Sequence, residues 1–112
     1  SGAAAVSDLL ARGERFTALV ASNDDMAIGA LKQLHDSGVA TPEAVSVIGF
    51  DDVAIAPYIV PSLSSVRIPV TAMIQEIVSR LIFMLDGGEF KYQQTFSGEL
   101  VLRDSVTDGP HR

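Results

Sequence analysis

Polar side chains that could bind a ligand stand directly after two apolar runs of this sequence. The run Val45–Phe50, VSVIGF, is followed at once by Asp51 and Asp52. The run FTALVAS, residues 16–22, is followed by Asn23 and then by two further aspartates. A carboxylate can accept hydrogen bonds from two hydroxyl groups, and an amide can both donate and accept. Asn23 and Asp51 together therefore suit a neutral polyhydroxylated ligand such as a sugar.

A structural role competes with ligand binding at the same positions. Asn23, or the serine before it, could be the N-cap of a following helix. Asp24 and Asp25 fit the first turn of that helix, where acids bind free backbone amides and favour the helix dipole. Asp52 fits a turn. The pattern leaves both roles open for Asn23 and Asp51, and it favours the structural role for the other three acids.

Catalytic chemistry fits these acids less well. A Mg²⁺ or phosphoacceptor site needs a lysine after a later strand, and neither Lys32 nor Lys91 is so placed. A catalytic triad lacks its histidine, because His35 falls near a helix end and His111 falls in the tail. The sequence also has no glycine-rich phosphate loop and no cysteine. We therefore expect a binding protein rather than an enzyme, with no metal and no cofactor.

A parallel sheet would bring Asn23 and Asp51 together. Residues 16–22 and 45–50 lack polar alternation, which is the pattern of strands covered on both faces. Between them, apolar residues recur at helical spacing until Gly38. A strand, a helix and a second strand in succession predict a βαβ unit with parallel strands, and hence an α/β fold. Asn23 and Asp51 should then lie on the same edge of the sheet, where such folds bind ligands.

The remaining elements are too few for a complete open sheet. A short helix is predicted over residues 3–11, a strand over Ser64–Ile68, and one or two short strands within residues 95–106. The spacing of apolar residues predicts a helix over Val70–Leu85, whose wide apolar stripe has no evident local partner. These features indicate a part of a larger α/β protein, or a chain that pairs extensively with others.

Composition excludes several classes of protein. The formal net charge is −6, so these 112 residues lack the dense basic face that nucleic acid binding requires. Polar and charged residues interrupt the apolar stretch Val70–Leu85, so it cannot span a bilayer. The first residues do not have the pattern of a signal peptide. We expect a protein that does not contact a membrane, and a cytoplasmic location fits the absence of cysteine without following from it.

Three ordered blocks resemble the effector domain of LacI/GalR-family transcriptional repressors. They are NDDMAIGA from Asn23, VSVIGFDD from Val45 and PSLSSVRIP from Pro61. The resemblance extends from about Gly2 to Pro110, and three blocks in order are more specific than any one of them. It implies the carboxy-terminal part of a two-lobed, periplasmic-binding-protein-like (type I) effector domain with parallel sheets, incomplete in this chain.

The resemblance also implies how the chain is divided. Residues 1–67 and 99–105 would belong to the carboxy-terminal lobe, and residues 70–97 would form part of the amino-terminal lobe. The DNA-binding headpiece would be missing from this chain. Such a division would explain both the small number of strands and the uncovered helix.

Individual residues match positions that have known roles in the family. Asn23 and Asp51 fall on residues that contact sugar hydroxyls in the cleft between the lobes. Ile68 falls on a further ligand position, where some relatives have glutamine. The dimer interface of the family maps to a set of mainly apolar residues: Ile28, Lys32, Val53, Ile55 and Ile59.

The resemblance implies a sugar-responsive repressor of a carbohydrate operon, with a β-glucoside as the expected effector. The protein would be a homodimer that binds operator DNA through the missing headpiece. The sugar would act by binding one arrangement of the lobes better than another. The alternative is a periplasmic sugar-binding protein of a transporter, which has the same two-lobed fold. An upstream signal peptide would mark that alternative, whereas a basic helix-turn-helix would mark a repressor.

Overall fold

The structure is a computed structural model that describes residues 1–89 and 93–109. The sequence-based statements about Lys91 and His111 lie outside the described residues. In chain order the elements are α1 (Gly2–Ala11), β1 (Ala18–Val20), α2 (Asp24–Asp36), β2 (Ser46–Ile48), a 3-10 helix (Ala56–Tyr58), β3 (Ser65–Arg67), α3 (Val70–Leu85) and β4 (Glu99–Val101). The chain divides into two compact units. The first contains residues 1–67 and the described residues from 100 onward, and the second contains residues 68–99.

The first unit contains the predicted βαβ arrangement. Strands β1 and β2 pair in parallel, with Leu19 opposite Val47, and helix α2 connects them. A further parallel bridge joins Ile48 to Ser64 beside β3. The predicted α/β class with parallel strands is therefore confirmed. Each strand is only three residues long.

One expectation about β1 is wrong. The apolar run predicted a strand covered on both faces, but the Val20 side chain is 80% exposed. Its neighbour Ala21 is buried and donates its backbone N–H to the carbonyl of Ile48 at 2.9 Å. Among the described residues, other side chains therefore cover only one face of this strand.

The core of the first unit lies between the sheet and two closely packed helices. A Cβ atom at Gly2 of α1 would lie 1.8 Å from the Met26 carbonyl oxygen of α2, so only glycine permits this approach. The buried apolar residues are Val6, Ala21, Ala27, Ala30, Leu31, Leu34, Val45, Val47, Ala56 and Leu63. The helical spacing of the sequence predicts one apolar face of α2 from Ala27, Ile28, Leu31 and Leu34, and all of these except Ile28 are buried.

Hydrogen bonds of the buried Ser105 hold the segment after β4 against β2. Ser105 donates its hydroxyl to the Val47 carbonyl at 2.6 Å and accepts from the Ser64 N–H at 2.8 Å. The Val47 N–H in turn donates to the Ser105 carbonyl at 2.8 Å. This segment therefore completes the core of the first unit, although it is distant in sequence.

The second unit contains α3, whose bounds agree with the prediction. None of its residues is buried. The exposed fractions of Ile74, Ile77 and Leu81 are 54%, 55% and 53%. The wide apolar stripe of this helix thus lacks a covering partner within the described residues, as its sequence indicated. No helix in the described ranges is long and apolar enough to cross a membrane.

Candidate ligand site at the carboxyl ends of the strands

The ends of β1 and β2 bring Asn23 and Asp51 to one edge of the sheet. The two strands are parallel and in register from Ala18 and Ser46, so both reach the same edge. Beyond the strands, the Asp24 N–H donates to the Phe50 carbonyl at 2.9 Å. These bonded residues are the immediate chain neighbours of Asn23 and Asp51, so the edge predicted from parallel pairing is present in the structure.

Asn23 is the N-cap of α2, one of the two roles that its sequence position left open. Its backbone is extended, and its Oδ1 atom accepts a hydrogen bond from the Met26 N–H at 2.9 Å. The Nδ2 donor of the same amide makes no hydrogen bond to the described residues. Capping therefore uses only the acceptor end of this half-buried side chain, and the donor end is available to a ligand.

Asp51 has an exposed carboxylate on a strained backbone. Its φ angle is 107°, in a region that residues with a Cβ atom rarely adopt. The backbone is held there because the Asp51 N–H donates to the Val66 carbonyl at 2.9 Å. The carboxylate itself makes no hydrogen bond or ion pair within residues 1–89 and 93–109. Strain of this kind at a free polar group is typical of ligand sites.

Ile68, the third expected ligand residue, is the first residue of the second unit. Its side chain is half-buried, and its carbonyl accepts from the Val70 N–H at 2.9 Å, next to the start of α3. An apolar side chain here can contribute only van der Waals contact to a ligand.

Asp24 lies behind the edge and is completely buried. It occupies the first turn of α2 as predicted, but its carboxylate binds distant groups rather than the amides of its own helix. Oδ1 accepts from the Ser65 hydroxyl at 2.7 Å, and Oδ2 accepts from the Val53 N–H at 2.8 Å. A Cβ atom at Gly49 would lie 2.1 Å from Oδ1. Gly49 is thus required because the Asp24 carboxylate fills the adjacent space.

Asp52 combines a left-handed backbone conformation with two ion pairs. Its φ angle is 55°, a conformation that aspartate adopts more readily than most residues, but the residue does not lie in a turn of this structure. Its carboxylate lies 2.8 Å from Arg67 and 2.7 Å from Arg103, and only 6% of the side chain is exposed. Arg103 has the largest effect on the pKa of Asp52 and lowers it; burial opposes this shift, and Arg67 reinforces it. Local sequence patterns could not reveal these partners, because they follow Asp52 by many residues.

The residues expected at a dimer interface lie in two places. Ile28, Lys32 and Ile59 line a groove of about 580 Å³ between α2 and the loops around Ala40 and Pro61. Lys32 is exposed in this groove and pairs with Asp36 at 2.7 Å. The other two expected residues do not line the groove.

Those two residues are Val53 and Ile55. Val53 is partly buried against the core. Ile55 is 51% exposed just before the 3-10 helix. His35 also lines the groove from the last turn of α2, the helix-end position that its sequence context indicated.

Metal binding has no candidate site in the part of the chain that the structure describes. No group of three or more histidine, aspartate or glutamate side chains there could hold a metal ion. The acids of the edge are instead divided between an exposed carboxylate at Asp51 and anchored carboxylates at Asp24 and Asp52.

Comparisons with known proteins identify the family. The periplasmic binding protein-like domain family matches residues 1–106. The chain is 72% identical over 106 residues to the HTH-type transcriptional regulator AscG of Escherichia coli (strain K12). This alignment covers 95% of the chain and 32% of AscG, so the chain spans about a third of the length of that relative.

Two crystal structures are similar over most of the chain. One is a sugar-binding transcriptional regulator of the LacI family from Escherichia coli complexed with phosphate, with a TM-score of 0.86 and 72% identity over 95% of this chain and 38% of that chain. The other is the lac repressor dimer bound to operator and the anti-inducer ONPF, with a TM-score of 0.88 and 28% identity over 94% of this chain and 37% of that chain. Through its periplasmic binding protein-like domain, the chain belongs to the LacI family of transcriptional regulators.

Proposed function

We propose that this chain is the effector-binding part of a sugar-responsive transcriptional repressor. The observation that carries the proposal is the pair of available groups on one edge of the sheet, the Asn23 amide donor and the Asp51 carboxylate. The amide can donate to a ring or hydroxyl oxygen, and the carboxylate can accept from two hydroxyls. Ile68, the third residue of the proposed site, could contribute only an apolar contact.

A β-glucoside is the proposed effector. The site offers hydrogen-bonding groups that suit a neutral polyol, an amide donor at Asn23 and a carboxylate acceptor at Asp51. The related Escherichia coli structure is described as sugar-binding, which supports a carbohydrate. A periplasmic sugar-binding protein is not favoured, because the similar proteins reported above are transcriptional regulators.

DNA binding is assigned to a headpiece outside these 112 residues, in keeping with the acidic charge of this chain. The similar relative is a regulator of the HTH type. We infer that the full-length protein acts in the cytoplasm, where operator DNA is accessible. The sugar would change operator affinity only by binding the DNA-bound and free arrangements differently, typically by about 1–3 kcal/mol.

Homodimer formation is part of the proposal. The apolar groove lined by Ile28 and Ile59, together with the exposed Ile55, offers a surface that a second copy could cover. The similarity to a repressor described as a dimer supports this assignment. Lys32 and Val53 complete the proposed interface.

The proposed function is tested by measuring DNA binding of the full-length protein in the presence of sugars. Genomic fragments that bind the protein are first selected. Fluorescence anisotropy then measures the affinity of the protein for these DNA fragments in the presence of methyl β-D-glucoside, D-galactose or, as an acyclic control, ribitol. A change of operator affinity of about fivefold or more with a glucoside is expected. Absence of specific DNA binding, or operator affinity that no sugar changes, would contradict the proposal.

A further inference from the structure

The two polar pairs at the edge of the sheet share one arrangement. In each pair the first residue has a group free for a ligand, and the second is an anchored aspartate. Asn23 precedes Asp24, and Asp51 precedes Asp52. The anchored acids are linked to each other, since the Ser65 hydroxyl donates to Asp24 Oδ1 at 2.7 Å and accepts from the Asp52 N–H at 3.0 Å.

Asp52 joins three separate segments of the first unit through one carboxylate. Arg67 contacts Oδ2 at 2.8 Å from the end of β3. Arg103 contacts Oδ1 at 2.7 Å from the segment that follows β4, and it also donates to the Leu63 carbonyl at 2.6 Å. Arg103 is only 13% exposed. A nearly buried pair of this kind is strongly sensitive to the loss of one partner.

Both arginines lie close in sequence to a point at which the chain passes from one unit to the other. Arg67 is the last residue of the first unit before the chain enters the second, and the chain returns at Leu100 within β4. Strands β3 and β4 are neighbours in one sheet. The Asp52 carboxylate therefore contacts β3 through Arg67 and the segment after β4 through Arg103.

The backbone of Asp51 depends on the same anchor. Asp51 and Asp52 are consecutive residues with positive φ angles of 107° and 55°, a conformation that must be held by surrounding contacts. The Asp51 N–H is bound to Val66 of β3, and the Asp52 N–H is bound to Ser65 of the same strand. The position of the Asp51 carboxylate is thus coupled to β3 by backbone bonds and to Arg67 and Arg103 by the Asp52 side chain.

We propose that Asp52 is a positioning residue for sugar binding, which fixes Asp51 at the edge of the sheet and ties it to β3 and to the segment that follows β4. This inference rests on the proposed sugar-binding function. Asp52 does not itself contact the sugar, because both of its carboxylate oxygens are occupied by arginines. Its effect on affinity passes through Arg103.

The test uses the full-length protein and four variants. They are Asp52→Asn, Arg103→Gln, the double variant, and Asp8→Asn as a control whose exposed carboxylate pairs with Arg12 at 3.3 Å. Calorimetry measures the affinity for methyl β-D-glucoside and for D-galactose well below the thermal midpoint of every variant. For the sugar that the wild type binds, each single substitution is expected to weaken affinity about tenfold, or about 1.4 kcal/mol.

The double variant tests whether Asp52 acts through Arg103. Because Asp52 is proposed to act through Arg103, the double variant should bind about as weakly as either single variant. The Asp8 variant should bind like the wild type. The proposal would be overturned by unchanged sugar affinity in Asp52→Asn. It would also be overturned if the fold-loss of affinity in the double variant equalled the product of the two single fold-losses.

Hydrogen exchange distinguishes failure of this inference from failure of the proposed function. If the wild type binds neither sugar, the proposed function as a glucoside or galactose sensor fails, but the anchor can still be tested without ligand. Asp52→Asn should then raise amide exchange about tenfold at Asp51, Asp52 and residues 103–105 and leave α1 unchanged. Exchange at wild-type rates in those amides would overturn the anchoring role.

Discussion

The Asn23 amide has its acceptor end committed to helix α2 and its donor end free among the described residues. At residue scale this arrangement shows why capping and ligand binding need not exclude each other. The sequence pattern placed Asn23 and Asp51 correctly at the strand ends, because that position depends only on local runs. It could not identify the contacts of Asp24 with Ser65 or of Asp52 with Arg67, which join residues 41 and 15 positions apart.

Gly49→Ala tests the space that Asp24 occupies. Its backbone is not in the left-handed region, so the effect depends on space alone. The new methyl group would lie 2.1 Å from Asp24 Oδ1 and 3.1 Å from its Cα atom, and we expect a loss of about 3 kcal/mol in the free energy of unfolding. Urea denaturation measures this loss. Gly109→Ala is the control, since nothing lies within 4 Å of its added Cβ atom; equal stability of the two variants would contradict the account.

The ion pairs of Asp52 predict a pH dependence of stability. Because Arg103 and Arg67 lower the pKa of Asp52 in the folded protein, the unfolded state binds the proton more readily. The stabilisation should be fully present above the ordinary aspartate pKa of about 4 and should be lost as the pH falls through the lower folded value. Denaturation of wild type and Asp52→Asn from pH 7 to pH 2 should give a stability difference that shrinks in that acidic range. A difference independent of pH would contradict the assignment.

At element scale, the helices follow from the sequence more completely than the strands do. Val70–Leu85 is helical over the predicted residues because its apolar spacing and the glycines after it are local signals. The strands are shorter than the apolar runs that predicted them. The return of Ser105 to β2 has no local signal, since it depends on contacts 58 residues apart.

Ser105→Ala tests that return. Its buried hydroxyl donates to Val47 and accepts from Ser64, so removal leaves two buried backbone groups without this partner. We expect a loss of about 2 kcal/mol in the free energy of unfolding by urea denaturation. Ser37→Ala is a matched control, because the Ser37 hydroxyl accepts an exposed bond from Gln33 at 3.1 Å. Its loss should stay within about 0.5 kcal/mol; a larger loss in the control than in Ser105→Ala would contradict this account.

At the scale of the whole molecule, two surfaces remain to be assigned to partners. The α3 stripe is apolar and half exposed over most of its length. The groove beside α2 and the exposed Ile55 are proposed for the homodimer interface. Assignment of the two units to carboxy-terminal and amino-terminal lobes remains a prediction from the family resemblance.

Ile55→Glu tests the proposed dimer surface. A charge at this 51% exposed position should weaken self-association of the full-length protein about tenfold or more, because it would be buried at the interface without a partner. Sedimentation velocity over a range of concentrations measures the dissociation constant. Leu102→Glu is the control, since Leu102 is 65% exposed and is not among the residues of the proposed interface. Unchanged association of the Ile55 variant, or an equal effect of both variants, would contradict the assignment.

The central claim is that Asn23 and Asp51 bind the sugar from one edge of the sheet. Calorimetric titration of the full-length protein with methyl β-D-glucoside tests it most directly, using Asn23→Ala, Asp51→Ala and the exposed-acid control Asp8→Asn. We expect Asp51→Ala to weaken affinity by about a hundredfold and Asn23→Ala by about tenfold, because a charged and a neutral hydrogen bond are lost, respectively. The control should bind like the wild type. Wild-type affinity in both the Asn23 and the Asp51 variants would contradict the claim.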